Sequence, residues 1–185
     1  MDESLRPNLA ILAGASAVIV LLSVLMLPWQ AAVASAVLGS LMIAGADVDA
    51  RTCLLPDIVT WGAAGCGIVA AAALNPYDEW HAGAAAIMRA TGTAFALGLL
   101  RWCHARLRMR EGLGFGDVKL AAAVGAWLPL EAIPLCFVLA AGAALVAVMF
   151  ARLRGESVCG STKIPFGAFL CPALWLIFYI EVLPG

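Results

Sequence analysis

The chain has 185 residues, 64% of them hydrophobic and 12% charged, with a formal net charge of −1. A soluble globule carries an apolar share nearer one half, so this composition excludes an ordinary water-soluble enzyme and indicates a polytopic helical membrane protein. The near-neutral charge shows no footprint for nucleic acid, and the Ala-, Leu-, Val- and Gly-rich runs lack the alternation of an outer-membrane barrel.

A membrane-crossing helix needs about 20 mostly apolar residues. Seven segments approach that: 9–27, 31–48, 58–74, 82–100, 118–130, 132–150 and 164–183. The expected fold class is therefore all-α, a transmembrane bundle of about six to seven helices. The first segment is long for a signal peptide, and Arg6 in its polar start is set against Asp2 and Glu3, so it reads as a retained helix. The fifth is the shortest, as suits a helix that begins inside a cavity rather than at the lipid surface. No linker, repeat or low-complexity tail interrupts the chain, and residues 1–185 read as one integral membrane domain.

The basic residues orient these segments. With the N-terminus inside, Arg6, Arg51, Arg101, Arg106, Arg108, Arg110, Lys119, Arg152, Arg154 and Lys163 all fall on inside segments or helix ends. The exception is Arg89, expected to snorkel to the outer face. The outer segment 76–81 is acidic and carries interface aromatics. The segment 101–116 is the longest inside loop, and its alternating Arg106, Arg108 and Arg110 suit orientation and contact with anionic membrane lipid. The six cysteines, Cys53, Cys66, Cys103, Cys136, Cys159 and Cys171, form no Cys-x-x-Cys, so they read as small apolar residues rather than zinc ligands or a redox pair. His81 and His104 fall on opposite sides, each without a second ligand nearby, and no metal site is expected.

The acids carry the chemistry. Asp117 closes the stretch Glu111-Gly112-Leu113-Gly114-Phe115-Gly116-Asp117 and opens an apolar run. An ionisable group at membrane depth points to function, while an acid at a helix N-terminus is its ordinary structural alternative. The alternate glycines disfavour helix and let another backbone come close. They follow no strand and lack a Gly-Lys-Ser/Thr ending, so they are not a phosphate loop. Topology puts Asp47, Asp49 and Asp57 on the same side as Asp117. Asp57 follows Pro56 and reads as a helix start. Asp47 and Asp49 are about 200° apart on a helix, so only one can face a given partner. A pair formed with Asp117 would share a proton and could activate water against a peptide carbonyl. It could equally serve as a proton relay or cation site, or be structural, and the residues alone leave these open.

Three stretches resemble the type IV prepilin peptidases, membrane aspartic proteases of the Gly-x-Gly-Asp kind. They are Asp49 followed by Leu55-Pro56-Asp57, then Gly114-Phe115-Gly116-Asp117-Val118-Lys119, then Pro165-Phe166-Gly167. They lie in the family's order and cover roughly residues 45 to 180. The resemblance implies a catalytic pair of Asp49 and Asp117 acting through water, with no metal or cofactor and with Asp47 as an extra acid. It also implies that Gly114 and Gly116 let a substrate backbone approach. Lys119 would tune the pair or reach the interface. The implied substrate and partner is a prepilin-like precursor with a short basic leader, cut at the cytoplasmic face of the bacterial inner membrane, usually after a glycine. The chain lacks the paired Cys-x-x-Cys motifs of longer members, which implies cleavage without methyl transfer. Ala168 stands where many relatives have proline, and Pro172-Ala173-Leu174, similar to a presenilin motif, reads as coincidence. Two alternatives remain: a small proton- or cation-coupled transporter using the same acids, and a catalytically idle assembly scaffold. Oligomeric state leaves no mark in the sequence.

Overall fold

A computed structural model describes residues 8–75, 77–108, 114–154 and 165–183. Arg6, Pro76, Arg110, Glu111, Gly112, Leu113, Cys159 and Lys163, all used above, lie outside the described residues. Among the described residues the chain forms seven helices: α1 (Leu9–Met26), α2 (Trp29–Thr52), α3 (Asp57–Ala73), α4 (Glu79–Arg108), α5 (Phe115–Trp127), α6 (Ala132–Leu153) and α7 (Phe166–Glu181). Four of them, α1, α2, α4 and α6, are long and apolar enough to cross a membrane. The protein is a multi-pass helical membrane bundle.

The helix ends follow from local chemistry. Asn8 caps α1 by accepting from the Ala10 N–H at 3.1 Å, which satisfies one of the free donors of a first turn. Pro28, Pro56 and Pro165 stand immediately before α2, α3 and α7, where a fixed φ favours helix entry. α2 runs on to Thr52 and stops at Cys53, which turns the chain with a φ of 51°, a left-handed conformation typical of a helix C-terminus. α4 also extends further than expected. The stretch from Arg101 to Arg108 is helix rather than loop, because it consists largely of good helix formers and contains neither Gly nor Pro.

α5 is the centre of the bundle. Leu120, Ala121, Ala123, Val124, Ala126 and Leu128 have no exposure at all, and α5 packs mainly on α4 and α3. Its 13 residues span about 20 Å, short of the ~30 Å hydrocarbon core. Surrounding helices shield it from lipid, so it has no need to match the bilayer. Its small side chains allow close helix approach, and cross-helix hydrogen bonds lock the position. Thr93 Oγ1 donates to the Ala121 carbonyl at 2.8 Å, and the Trp127 indole N–H donates to the Ala63 carbonyl at 2.7 Å.

Arg89 lines a pocket at the outer end together with Asn75, Asp78 and His81, and it also makes a bond across to α5. Its Nε donates to the Gly125 carbonyl at 3.3 Å. Four residues beyond Gly125 stands Pro129, which has no N–H to donate, so that carbonyl lacks its intrahelical partner. Arg89 supplies the missing donor from α4.

On the other flank, α2 packs on α7 and α1. Ser35 accepts from Ser23 at 2.9 Å and from the Trp175 indole at 3.1 Å. α1 itself buries only Ile19 and Ser23, as befits a peripheral helix facing lipid.

Candidate active site

Among the described residues, the buried charged side chains are two: Asp49, 3% exposed, and Asp117, 8% exposed. They come from helices far apart in sequence and meet at one end of the bundle. There the last turns of α2 face the first turns of α5 and α7.

α2 stays helical past both of its acids, so their angular separation takes effect. Asp47 turns toward the α1 side, where Oδ2 accepts from the Asn8 main chain at 2.7 Å and from Arg51 Nη2 at 2.6 Å. Asp49 turns inward, and its Oδ2 accepts from the Ala168 N–H at 2.8 Å. Pro165, the N-cap of α7, has no side-chain acceptor, so Asp49 satisfies a donor that the helix start would otherwise leave free.

Asp117 lies in the first turn of α5, with its Oδ2 turned back toward Gly114, 3.3 Å from where a methyl on that residue would sit. An acid at the third helical position reaching back to the cap residue is half of a capping box. The structural reading of Asp117 as a helix-start acid therefore holds locally. What that reading does not explain is the burial or the neighbour: the two carboxyls lie close enough to interact electrostatically. No hydrogen bond joins Asp49 to Asp117 directly among the described residues.

Asp57 opens α3 and forms an ion pair with Lys119, Nζ to Oδ1 at 2.5 Å. Lys119 also lies 5.1 Å from the centre of the Phe115 ring, which Arg101 approaches to 5.4 Å. The Lys119 charge is thus directed to Asp57, tying the start of α3 to the start of α5. Phe166 is partly buried against the core.

The glycines enclose a residue that sequence reasoning passed over. A methyl group on Gly116 would lie 3.2 Å from Cβ of Leu55. One on Gly167 would collide with Cδ1 of Leu55 and lie 2.8 Å from Oδ2 of Asp49. One on Gly114 would lie 3.3 Å from Oδ2 of Asp117. The room expected beside Gly116 for a substrate backbone is therefore taken up by Leu55, which belongs to the Leu-Pro-Asp stretch used above only as a marker. The Ala168 N–H was equally invisible, since main-chain donors carry no sequence signal beyond a helix start.

Sequence comparison bears on what this geometry serves. Residues 36–150 match the type IV leader peptidase family. The chain belongs to that family. The matched stretch includes both buried acids, Leu55-Pro56-Asp57 and Gly114 to Lys119, and stops before Pro165. The prepilin leader peptidase/N-methyltransferase of Burkholderia pseudomallei is 36% identical over 147 residues, covering 77% of this chain and 45% of that protein. That of Dickeya chrysanthemi is 33% identical over 167 residues, covering 85% and 55%. The leader peptidase HopD of Escherichia coli is 36% identical over 137 residues, covering 74% and 86%. The chain spans about half the length of the curated peptidase/N-methyltransferases and most of HopD. No solved structure matches the chain.

Proposed function

We propose that this chain is an aspartic endopeptidase that removes the leader peptide from prepilin-like precursors. The observation that carries the reading is the shared burial of Asp49 and Asp117 at one end of the bundle, in a chain of the type IV leader peptidase family. Two carboxyls in one apolar site do not both ionise readily, so one keeps a proton while the other takes one from water. Attack of that water on the scissile carbonyl, with proton delivery to the leaving amine, is general acid–base hydrolysis. The Ala168 N–H holds the Asp49 carboxyl through Oδ2. Family membership favours this reading over the transport alternative.

The setting in the proposal is a bacterial inner membrane with the acids at the cytoplasmic end. Arg51, Arg101 and Lys119 cluster at the acid end and Asp78 and Glu79 at the other, which supports that orientation by the positive-inside tendency. Residues 1–185 form one peptidase domain in this reading, and methyl transfer is not part of the proposed activity.

The test is the purified protein in detergent with a precursor carrying a short basic leader. Release of a shortened product, followed by mass spectrometry, is the expected result. Proton or cation flux in liposomes with no cleavage would overturn the proposal.

A further inference from the structure

At the end of the bundle opposite the acids, α3 and α4 part to leave a cavity of about 350 Å³. α3 starts at the acid end with Asp57 and runs 17 residues, about 25 Å, before the connection to α4. The cavity lies at that connection. Asn75, Asp78, His81 and Arg89 line it, with small side chains such as Ala82 and Ala85 between them. Tyr77 and Trp80, near neighbours of Asp78 in the chain, are exposed, and amphipathic aromatics of this kind sit at the headgroup level of a bilayer. The opening is therefore at the depth of lipid phosphates.

The polar groups of this cavity are only partly used. Arg89 gives its Nε to the Gly125 carbonyl, and among the described residues its Nη1 and Nη2 have no hydrogen-bond partner. A guanidinium anchored through Nε keeps two nitrogens for a second acceptor, an arrangement that suits phosphate oxygens. Asn75 donates its Nδ2 to the Ala71 carbonyl at 2.9 Å, which leaves its Oδ1 as an acceptor. Asp78 meets His81 Nδ1 through Oδ1 at 2.5 Å, which leaves its Oδ2, and the carboxylate is 66% exposed. Charge is thus ordered by depth. Arg89 follows His81 by eight residues on α4, about 12 Å along the axis, so the cation lies toward the membrane interior and the carboxylate toward water.

We propose that this cavity binds a phosphate ester carrying an ammonium group, with the phosphate on Arg89 and the ammonium between Asp78 and Asn75 Oδ1. Phosphate inward and ammonium outward is the order of charges in the headgroup of a zwitterionic phospholipid. The depth of the opening favours that lipid over a soluble ester of the same chemistry. The inference rests on the membrane bundle and is independent of the peptidase reading.

The experiment uses the full chain, delipidated in detergent, with native mass spectrometry following bound ligand as phosphatidylethanolamine, phosphatidylglycerol or water-soluble phosphoethanolamine is added. The first carries phosphate and ammonium, the second phosphate alone, the third the headgroup without acyl chains. The wild type should hold phosphatidylethanolamine at least about threefold more tightly than phosphatidylglycerol, the scale of an exposed charge pair. Arg89→Gln should weaken both lipids about tenfold. Asp78→Asn, at an exposed position, should erase the preference without weakening phosphatidylglycerol, and it decides the matter if Arg89→Gln fails to accumulate. Equal binding of the two lipids by the wild type, or a preference unmoved by Asp78→Asn, overturns the proposal. Lipid affinities unchanged in folded Arg89→Gln overturn it as well. Phosphoethanolamine should compete weakly; displacement of bound phosphatidylethanolamine at equal concentration would make a soluble ester the ligand and overturn the lipid assignment.

Discussion

The main-chain N–H of Ala168 donates to Oδ2 of Asp49 at 2.8 Å, so an acid at the end of α2 serves as the N-terminal cap that α7 lacks. The bond orients the carboxyl and ties two helices at the site. Replacing Ala168 by proline removes the donor while keeping a residue that a first helical turn tolerates. A hydrogen bond to a charged group is worth roughly 1.5–3 kcal/mol, but many relatives carry proline at this position and forgo the donor, so Ala168→Pro should slow cleavage only a few-fold, and Ala168→Ser, which keeps the N–H, should stay near wild type. Initial cleavage rates at equal protein check this. A proline variant within about twofold of wild type would show that Asp49 needs no such tether.

Gly167 and Leu55 compete for one volume. Gly167→Ala puts a methyl onto Leu55 and against the Asp49 carboxylate, and overpacking of this kind costs about 1–3 kcal/mol. Cleavage should fall sharply. Combining it with Leu55→Ala should restore part of the activity, because residues in contact do not act additively. The four rates of the cycle give the coupling, and a purely additive double variant would contradict the contact.

The Asp57–Lys119 pair is exposed on the Asp57 side, 67% against 19% for Lys119, so its effect on stability should be slight, about 0–1 kcal/mol. Its consequence is positional, since it joins the Leu55 turn to the helix that carries Asp117. Lys119→Met should lower cleavage several-fold with little change in melting temperature. The exchanged pair, Asp57→Lys with Lys119→Asp, should recover part of the loss. A melting temperature that falls with no change in rate would reverse that assignment.

Arg89 acts at the opposite end. Arg89→Met leaves the Gly125 carbonyl without its donor, and an unsatisfied buried acceptor costs about 1–3 kcal/mol. Thermal unfolding in detergent should occur at lower temperature, while the cleavage rate per folded molecule stays close to wild type. Loss of rate without loss of stability would mean that Arg89 influences the acids at a distance.

Much of the fold was legible because apolar run length and charge asymmetry are one-dimensional signals, and all seven segments correspond to helices. The errors came where a neighbour decides the outcome. The bond from Arg89 to Gly125 was hidden because nothing in its own helix reveals that Pro129 leaves a carbonyl open on α5. The 101–108 stretch has the charge density of a loop, but most of its residues favour helix and it contains no Gly or Pro. At the site, Asp47 and Asp49 were separable only in angle. Which of them turns inward depends on how α2 packs against α7, a long-range relationship. Leu55 was hidden for a different reason: its role is to occupy space, and volume between two glycines more than a hundred positions from one of them leaves no local pattern.

The central claim is that Asp49 and Asp117 together perform the hydrolysis while Asp47 does not. Cleavage of a leader-bearing precursor by the single variants Asp49→Asn, Asp117→Asn and Asp47→Asn, each confirmed to be folded in detergent, tests it most directly. The expected result is loss of detectable cleavage in the first two and retention of most of the wild-type rate in the third. Substantial cleavage by Asp49→Asn, with loss in Asp47→Asn, would contradict the account.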